Sequence, residues 1–103
     1  AERGNNGVIS AVVGRLQDGD GHVREAVVKV LPDVAAKGDE HVVLMASKLL
    51  PHRDRHIRLD AMRAILATVD KGDQRACIAV AGRLEDEVSR IREDAVKALA
   101  KVA

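Results

Sequence analysis

Lys37-Gly38-Asp39 returns 34 residues later as Lys71-Gly72-Asp73, and the related Arg3-Gly4-Asn5 precedes it by the same interval. The match extends over the rest of the chain without a gap when the sequence is shifted against itself. A period of this length that recurs intact is typical of repeat proteins, in which every repeat is one structural module. The sequence therefore predicts a single segment over 1–103 built of three repeats, at about 4–37, 38–71 and 72–103.

The repeated tripeptide has the composition of a boundary between two helices. Lys complements the negative end of a helix dipole, Gly after it adopts the left-handed conformation, and Asp caps the next helix. Between these boundaries, apolar residues recur at spacings of three and four, the pattern of an amphipathic helix. We expect helices at about 7–17, 21–36, 40–50, 55–70, 74–85 and 89–103. The caps available to the second helix of each repeat are Asp20, Asp54 and Ser89.

The composition favours helices that pack closely together. Hydrophobic residues make up 47% of the 103 residues, but Phe, Tyr and Trp are absent. The core must then consist of Ala, Val, Leu, Ile and Met, whose small volumes suit closely approaching helices better than an aromatic-lined pocket. Together with the periodicity, this predicts an all-α fold.

Charge and cysteine content indicate which partners and compartments to expect. The 17 basic and 16 acidic residues are interspersed and give a net charge of +1, which does not favour nucleic-acid binding. The apolar runs are too short to cross a bilayer, and the first residues lack the layout of a signal peptide. Cys77 is the single cysteine, and we interpret it as a small buried hydrophobic residue. We expect no membrane insertion and an intracellular, reducing compartment.

Each predicted repeat carries a turn containing Asp, followed by Val or Ile next to Arg and then by Ala. The residues are Asp18, Asp20, Val23, Arg24 and Ala26, then Asp54, Ile57, Arg58 and Ala61, and then Asp86, Ile91, Arg92 and Ala95. This pattern covers the whole chain and resembles the HEAT-like repeats of the armadillo/HEAT superfamily. The resemblance implies a right-handed α-solenoid of antiparallel helix pairs. His52 and Val88 depart from the pattern, because Asp is expected at each position.

The resemblance also implies that the turn Asp and the second-helix Arg of successive repeats stack and pair along the array. An Arg in the first turn of a helix is unfavourable for the dipole unless an acidic neighbour offsets it. We therefore interpret these arginines as structural rather than as ligand contacts. The predicted ladder consists of Asp20, Arg24, Asp54, Arg58, Asp86 and Arg92.

In a HEAT-like arrangement the second helices line the concave side, and two features there favour binding of a partner. Lys29, Arg63 and Lys97 form one uniformly basic row, with neighbours roughly 10 Å apart from helix to helix. Leu59 and Leu66 lie seven residues apart on one helix face and are suited to anchor a partner helix or peptide. The candidate concave binding face is therefore Lys29, Leu59, Arg63, Leu66 and Lys97.

Each of these features also has a purely structural interpretation. The basic row is also consistent with a solvated face in which Glu25 pairs with Lys29 and Glu93 with Lys97, and this is the interpretation that we favour. The two leucines are equally suited to pack against Met62 or against an adjoining copy. Both interpretations remain open at the level of sequence.

The sequence contains no recognisable catalytic or metal-binding motif. His52 and His56 are four residues apart, but one follows Pro51 in a turn and the other is predicted inside a helix. Gly-x-Ser-x-Gly and the phosphate-binding glycine motifs are absent. We therefore predict no catalytic residue, no cofactor and no metal.

The chain begins and ends at the same phase of the repeat, without a distinct capping repeat at either end. We expect part of a longer array, or an oligomer that covers its two ends.

The favoured function is a noncatalytic scaffold that binds a protein or peptide, or further repeats or copies through its ends. The alternative is an auxiliary HEAT-like segment of an enzyme, such as a lyase-type protein, with catalysis elsewhere. Nucleic-acid binding by the basic row is disfavoured, because stacking aromatic residues are absent.

Overall fold

The computed structural model describes residues 5–103, so the predicted boundary at Arg3-Gly4-Asn5 lies largely outside the described residues. Its described part is all-helical, as predicted, and contains no strand. A short 3-10 turn, Arg15–Gln17, follows the first helix. The helices are α1 Asn6–Gly14, α2 Gly21–Val34, α3 Glu40–Leu49, α4 Arg55–Thr68, α5 Gln74–Ala81 and α6 Ser89–Val102.

Most helices begin where a polar side chain caps them. The side chains of Asn5, Asp39 and Asp73 accept backbone N–H groups at the starts of α1, α3 and α5. Asp20 and Asp54 do the same for α2 and α4, by accepting the N–H groups of the second residue of each helix. These caps satisfy donors that a helix start would otherwise leave unpaired.

The prediction that Ser89 caps α6 is wrong. Ser89 is already the first residue of that helix, and Val88 precedes it with no side-chain capping bond. Val88 stands at the position that Asp20 and Asp54 hold before α2 and α4, and its side chain has no oxygen to act as a cap. Its N–H donates to Oδ1 of Asp86 at 2.9 Å. The predicted end of α5 at residue 85 is also too late, because the helix stops at Ala81, before Gly82. Glycine has a low helix propensity.

Gly38 and Gly72 adopt the left-handed conformation predicted for them, with φ of +72° and +84°. The N–H of Gly38 donates to the carbonyl of Thr68 at 2.6 Å, and the N–H of Gly72 donates to the carbonyl of Val102. Each loop that precedes α3 or α5 is thereby tied to the end of the following even-numbered helix. Gly38 and Gly72 therefore set both the direction of the chain and a contact between α3 and α4 and between α5 and α6.

The helices pack as three pairs, which we call the first pair (α1 and α2), the middle pair (α3 and α4) and the last pair (α5 and α6). Helix α3 contacts α1 and α5, and α4 contacts α2 and α6, so the middle pair lies between the other two. Within residues 5–103, no helix of the first pair contacts one of the last pair. The largest fully buried side chains belong to all three pairs and include Ile9, Leu16, Leu31, Met62, Ile65 and Ile91.

We predict that Gly72→Ala lowers the free energy of unfolding by about 1 kcal/mol, because an L-residue is strained at positive φ. A Cβ at this position would meet nothing within 4 Å, so the cost is conformational alone. Gly72→Asn should cost less, since Asn tolerates this conformation. Urea unfolding followed by far-ultraviolet circular dichroism measures the effect.

Gly14→Ala is the matched control for this prediction. Gly14 has helical angles, φ −57° and ψ −27°, and a Cβ added there also meets nothing within 4 Å. The substitution should be neutral or slightly stabilising. Equal losses of stability for both alanine variants would contradict the assignment of a strained backbone to Gly72.

Candidate functional site

The last pair is fixed to the middle pair by an ion pair between Arg58 and Asp86. Nε of Arg58 donates to Oδ2 of Asp86 at 2.8 Å, and an Nη of Arg58 donates to Oδ1 at 3.1 Å. The second Nη donates to the carbonyls of His52 and Arg53 at 2.8 and 3.1 Å. The two side chains are only 6% and 2% exposed, so a bidentate, charge-assisted contact is formed almost out of water.

A related contact joins the first pair to the middle pair, but its carboxylate comes from another position. Nε of Arg24 donates to Oδ2 of Asp60 at 2.8 Å, and an Nη donates to the carbonyl of Asp18 at 2.6 Å. The residue 34 positions before Asp86 is His52, which has no carboxylate to offer. Asp60, on the first turns of α4, supplies the negative charge in its place.

His52 keeps the turn-forming role of the residue that it replaces. Its Nδ1 is 3.0 Å from the backbone N of Asp54, in the same position as the bond from the N–H of Asp20 to the Asp18 carboxylate at 2.8 Å. The imidazole can accept this bond only when Nδ1 carries no proton. Replacing Asp by His therefore conserves the turn while it removes the charge.

The predicted ladder requires a correction, because Asp20 and Asp54 are not the partners of the arginines. Both side chains cap helices instead, and they accept hydrogen bonds from backbone N–H groups at the starts of α2 and α4. The third arginine, Arg92, donates from an Nη to the carbonyl of Asp86 at 2.7 Å. Within the described range 5–103, Arg92 forms no ion pair.

The surroundings of Asp86 stabilise its charged form. Burial alone raises the pKa of the Asp86 carboxyl, but hydrogen bonds from Arg58 and Val88 and the charges of Arg58 and Arg83 lower it more. The pKa therefore lies below the ordinary value for Asp. An anionic Asp86 at neutral pH is what the two buried arginine contacts require.

The predicted concave residues come together in a groove between α4 and α6. This α4–α6 groove encloses a cavity of about 220 Å³. Four of the five predicted residues line it, and the lining consists of Leu59, Met62, Arg63, Leu66, Arg90, Asp94, Lys97, Ala98 and Lys101. The fifth, Lys29, does not line the groove, because it lies on α2, where its Nζ is 3.1 Å from the carboxylate of Glu25.

The floor of the α4–α6 groove is apolar. Met62 is 1% exposed, and Leu59 and Leu66 are half-buried and pack against the core. Alanines also occupy buried positions of α4 and α6, and one of them, Ala98, lines the groove. The alanines are Ala61, Ala64, Ala95 and Ala98.

The rim of the α4–α6 groove is basic, with four cationic side chains and one carboxylate. Arg90 pairs with Asp94 at 3.2 Å, and Arg63 is 3.4 Å from Asp60. Lys97 and Lys101 form no ion pair with any residue of 5–103, so the Glu93–Lys97 pair considered from the sequence is not formed. The groove thus combines an apolar floor with free positive charge.

Arg90 and Lys101 were not predicted to lie on this face, although their spacing contains the signal. Arg90, Lys97 and Lys101 are separated by seven and four residues, which places them along one face of a helix. The 34-residue repeat does not reveal this face, because the corresponding residues of the preceding repeat are His56, Arg63 and Ala67, of which only Arg63 is always cationic. The face becomes evident only when α6 is considered by itself.

Two larger cavities carry both signs of charge. One of about 420 Å³ lies over the turn that holds the Arg58–Asp86 pair and is lined by Arg53, Arg83, Glu85 and Glu87 among others. Another of about 370 Å³ lies between α2 and α4 and is lined by Glu25, His56, Asp60 and Arg63 among others. Both linings mix acidic and basic side chains, so neither offers a charged partner a surface of one sign.

Metal ligands, the cysteine and membrane-spanning helices were also considered as functional features of residues 5–103. Residues 5–103 contain no group of three or more His, Cys, Asp or Glu side chains arranged to hold a metal ion. Cys77 is half-buried rather than buried, and its Sγ lies 3.8 Å from the carbonyl oxygen of Val102. Between Asn6 and Val102, none of the helices has both the length and the apolar character needed to cross a lipid bilayer.

Comparison of the chain with protein-family models, with curated proteins and with solved structures gave no match.

We predict that Asp86→Asn lowers the free energy of unfolding at neutral pH by about 3 kcal/mol, because it leaves Arg58 buried without an anion. The pKa of Asp86 is lowered by folding. Its contribution is therefore fully present above the unfolded-state pKa of about 3.9 and is lost as the pH falls through the lower folded-state value. The difference between the two proteins should shrink in acid, and urea unfolding at a series of pH values measures it.

Asp94→Asn is the matched control. Asp94 pairs with Arg90 on the surface, where the two side chains are 19% and 64% exposed. Its loss should cost less than about 1 kcal/mol. A destabilisation by Asp86→Asn that stays constant from neutral pH into acid would contradict the role assigned to the Asp86 charge.

Proposed function

We propose that the chain is a noncatalytic HEAT-like scaffold, a right-handed α-solenoid of antiparallel helix pairs, which binds an acidic peptide segment in the α4–α6 groove. The order of contacts supports the solenoid, because each helix pair contacts only the pair that follows or precedes it. The single observation that carries the binding proposal is the groove itself. It places Lys97 beside an apolar floor that includes Leu59 and Leu66.

The size of the α4–α6 groove supports a peptide rather than a small molecule. Its cavity of about 220 Å³ is below the range of about 300–1,000 Å³ that is common for small-molecule sites. It suits one or two aliphatic side chains of a longer segment that continues along the surface. The half-buried Leu59 and Leu66 would contact those side chains.

The charges of the groove define what should flank those aliphatic side chains. Lys97 and Lys101 have no ion-pair partner within the described chain, and Arg63 is 47% exposed. Asp or Glu residues of a partner would pair with them and would guide its approach. A nucleic acid fits less well, because the chain has a net charge of +1 and no aromatic side chain on which bases could stack.

The proposal includes the compartment expected from the sequence. Cys77 is the single cysteine and is half-buried, so the chain gains no internal disulfide from an oxidising environment. We therefore propose that the scaffold works in an intracellular, reducing compartment.

A short fluorescein-labelled peptide of alternating Leu and Glu is the probe for this proposal. We predict that it binds the chain, that the same peptide with Lys for Glu does not, and that binding weakens with added salt. Lys97→Glu/Lys101→Glu should weaken binding about tenfold or more, because attraction becomes repulsion. Fluorescence anisotropy measures the affinities.

The matched control is Lys48→Glu/Lys71→Glu, which makes the same change of charge on surfaces away from the groove. Lys48 lies in the last turn of α3 as Lys101 lies in the last turn of α6, so the effects on the helix dipoles are comparable. This variant should bind as the unchanged chain does. Equal weakening by both double variants, or equal affinity for the Glu and Lys peptides, would refute binding in the α4–α6 groove.

A further inference from the structure

The last pair exposes a face that its counterpart in the middle pair buries. Leu50 and Met62 of the middle pair are 4% and 1% exposed, because the last pair covers them. The residues 34 positions later, Leu84 and Val96, are 38% and 60% exposed. Arg58 is likewise buried, whereas Arg92 is exposed. We call this surface the trailing face.

The first pair exposes the opposite face. Val42 and Ala64 of the middle pair are fully buried beneath the first pair and the core, at 0% exposure each. The residues 34 positions earlier, Val8 and Val30, are 38% and 37% exposed. We call this surface the leading face. Both faces therefore expose aliphatic side chains whose counterparts in the middle pair are buried.

The polar groups on the two faces also correspond to a contact already present inside the chain. At the junction between the middle and last pairs, Asp86 accepts from Arg58, and an Nη of Arg83 donates to the carbonyl of Leu50 at 2.9 Å. Shifted by 34 residues, the arginine and the carbonyl become Arg92 and Leu84 on the trailing face.

A shift of two repeats, 68 residues, in the other direction gives the complementary groups on the leading face. Asp86 and Arg83 correspond to Asp18 and Arg15. Asp18 and Arg15 are 27% and 66% exposed, and their only ion pair in the described chain is a loose one with each other, at 3.8 Å. Arg92 on the trailing face has no carboxylate partner, and Asp18 on the leading face has no close cationic partner, so the two side chains are complementary.

We propose that copies of this chain stack head to tail, with the trailing face of one copy on the leading face of the next. Arg92 of one copy pairs with Asp18 of the second copy, and Arg15 of the second copy donates to the Leu84 carbonyl of the first. Leu84 and Val96 are then covered by aliphatic residues that include Val8 and Val30. This interaction is separate from peptide binding in the α4–α6 groove and does not depend on it.

The junction between copies lacks one contact of the internal junction. Inside the chain, an Nη of Arg75 donates to the carbonyl of Gly38 at 3.0 Å, but Gly7 occupies the corresponding position on the leading face. The contact between copies is therefore weaker than the internal one, so association depends on concentration. Because the two faces differ, the contact gives either closed rings or open chains that keep a free face at each end.

Sedimentation velocity of the chain over a wide concentration range tests the proposal. The sedimentation coefficient should rise with concentration. Arg92→Glu and Asp18→Arg should each weaken association about tenfold or more, because each puts like charges together at the junction. A sedimentation coefficient of the unchanged chain that does not depend on concentration would overturn the proposal.

Mixing the two variants separates a specific junction from a general effect of charge. In the mixture, Arg92 of the Asp18→Arg chain meets Asp18 of the Arg92→Glu chain, so association should return. Asp18→Asn keeps an oxygen for the turn with Asp20 and should weaken association less than Asp18→Arg. Lys48→Glu, on an exposed part of α3, should associate normally. Failure of the mixture to associate while both variants remain folded by circular dichroism would also overturn the proposal.

Discussion

The buried ion pair between Arg58 and Asp86 is the interaction on which the arrangement of the helices depends most. The guanidinium makes four hydrogen bonds, two to the Asp86 carboxylate and two to backbone carbonyls of the turn before α4. Removing two charges from water is costly, and the ion pair with its hydrogen bonds offsets this cost. If the last pair shifted against the middle pair, the two charges would separate and the offset would be lost. The pair therefore selects one register between the middle and last pairs. Arg83 adds a contact at 3.4 Å to the same carboxylate, although its own Nε is buried without a partner in the described chain.

Local structure was largely predictable, because the signals for it lie within a few residues of each other. Periodicity located the helices, and the turns at Gly38 and Gly72 and the caps at Asp20 and Asp54 follow from residue chemistry at fixed offsets. The errors occurred where one residue differs from its counterparts in the other repeats. Ser89 did not become a cap, because Val88 holds the capping position of Asp20 and Asp54, and Ser89 is already inside the helix.

Contacts between helix pairs were less predictable, because they depend on register in space. Arg24 pairs with Asp60, a residue that the repeat pattern did not mark, since His52 occupies the position of the expected acid. The residues predicted to share one concave face likewise do not all lie together. Lys97 lines the groove as expected, but Lys29 is held by Glu25 on its own helix. Whether a lysine is free depends on distances that a one-dimensional pattern does not contain.

The order of contacts between the helix pairs also determines how the protein opens. The first and last pairs share no contact in the described chain, so either of them can detach without disturbing the other. The middle pair can lose its structure only after it has lost a neighbour, because it is covered on both sides. Amide protons should therefore exchange with solvent most slowly in α3 and α4 and faster toward both ends. The chain thus holds a gradient of local stability along its sequence, with the slowest-exchanging helices at its centre.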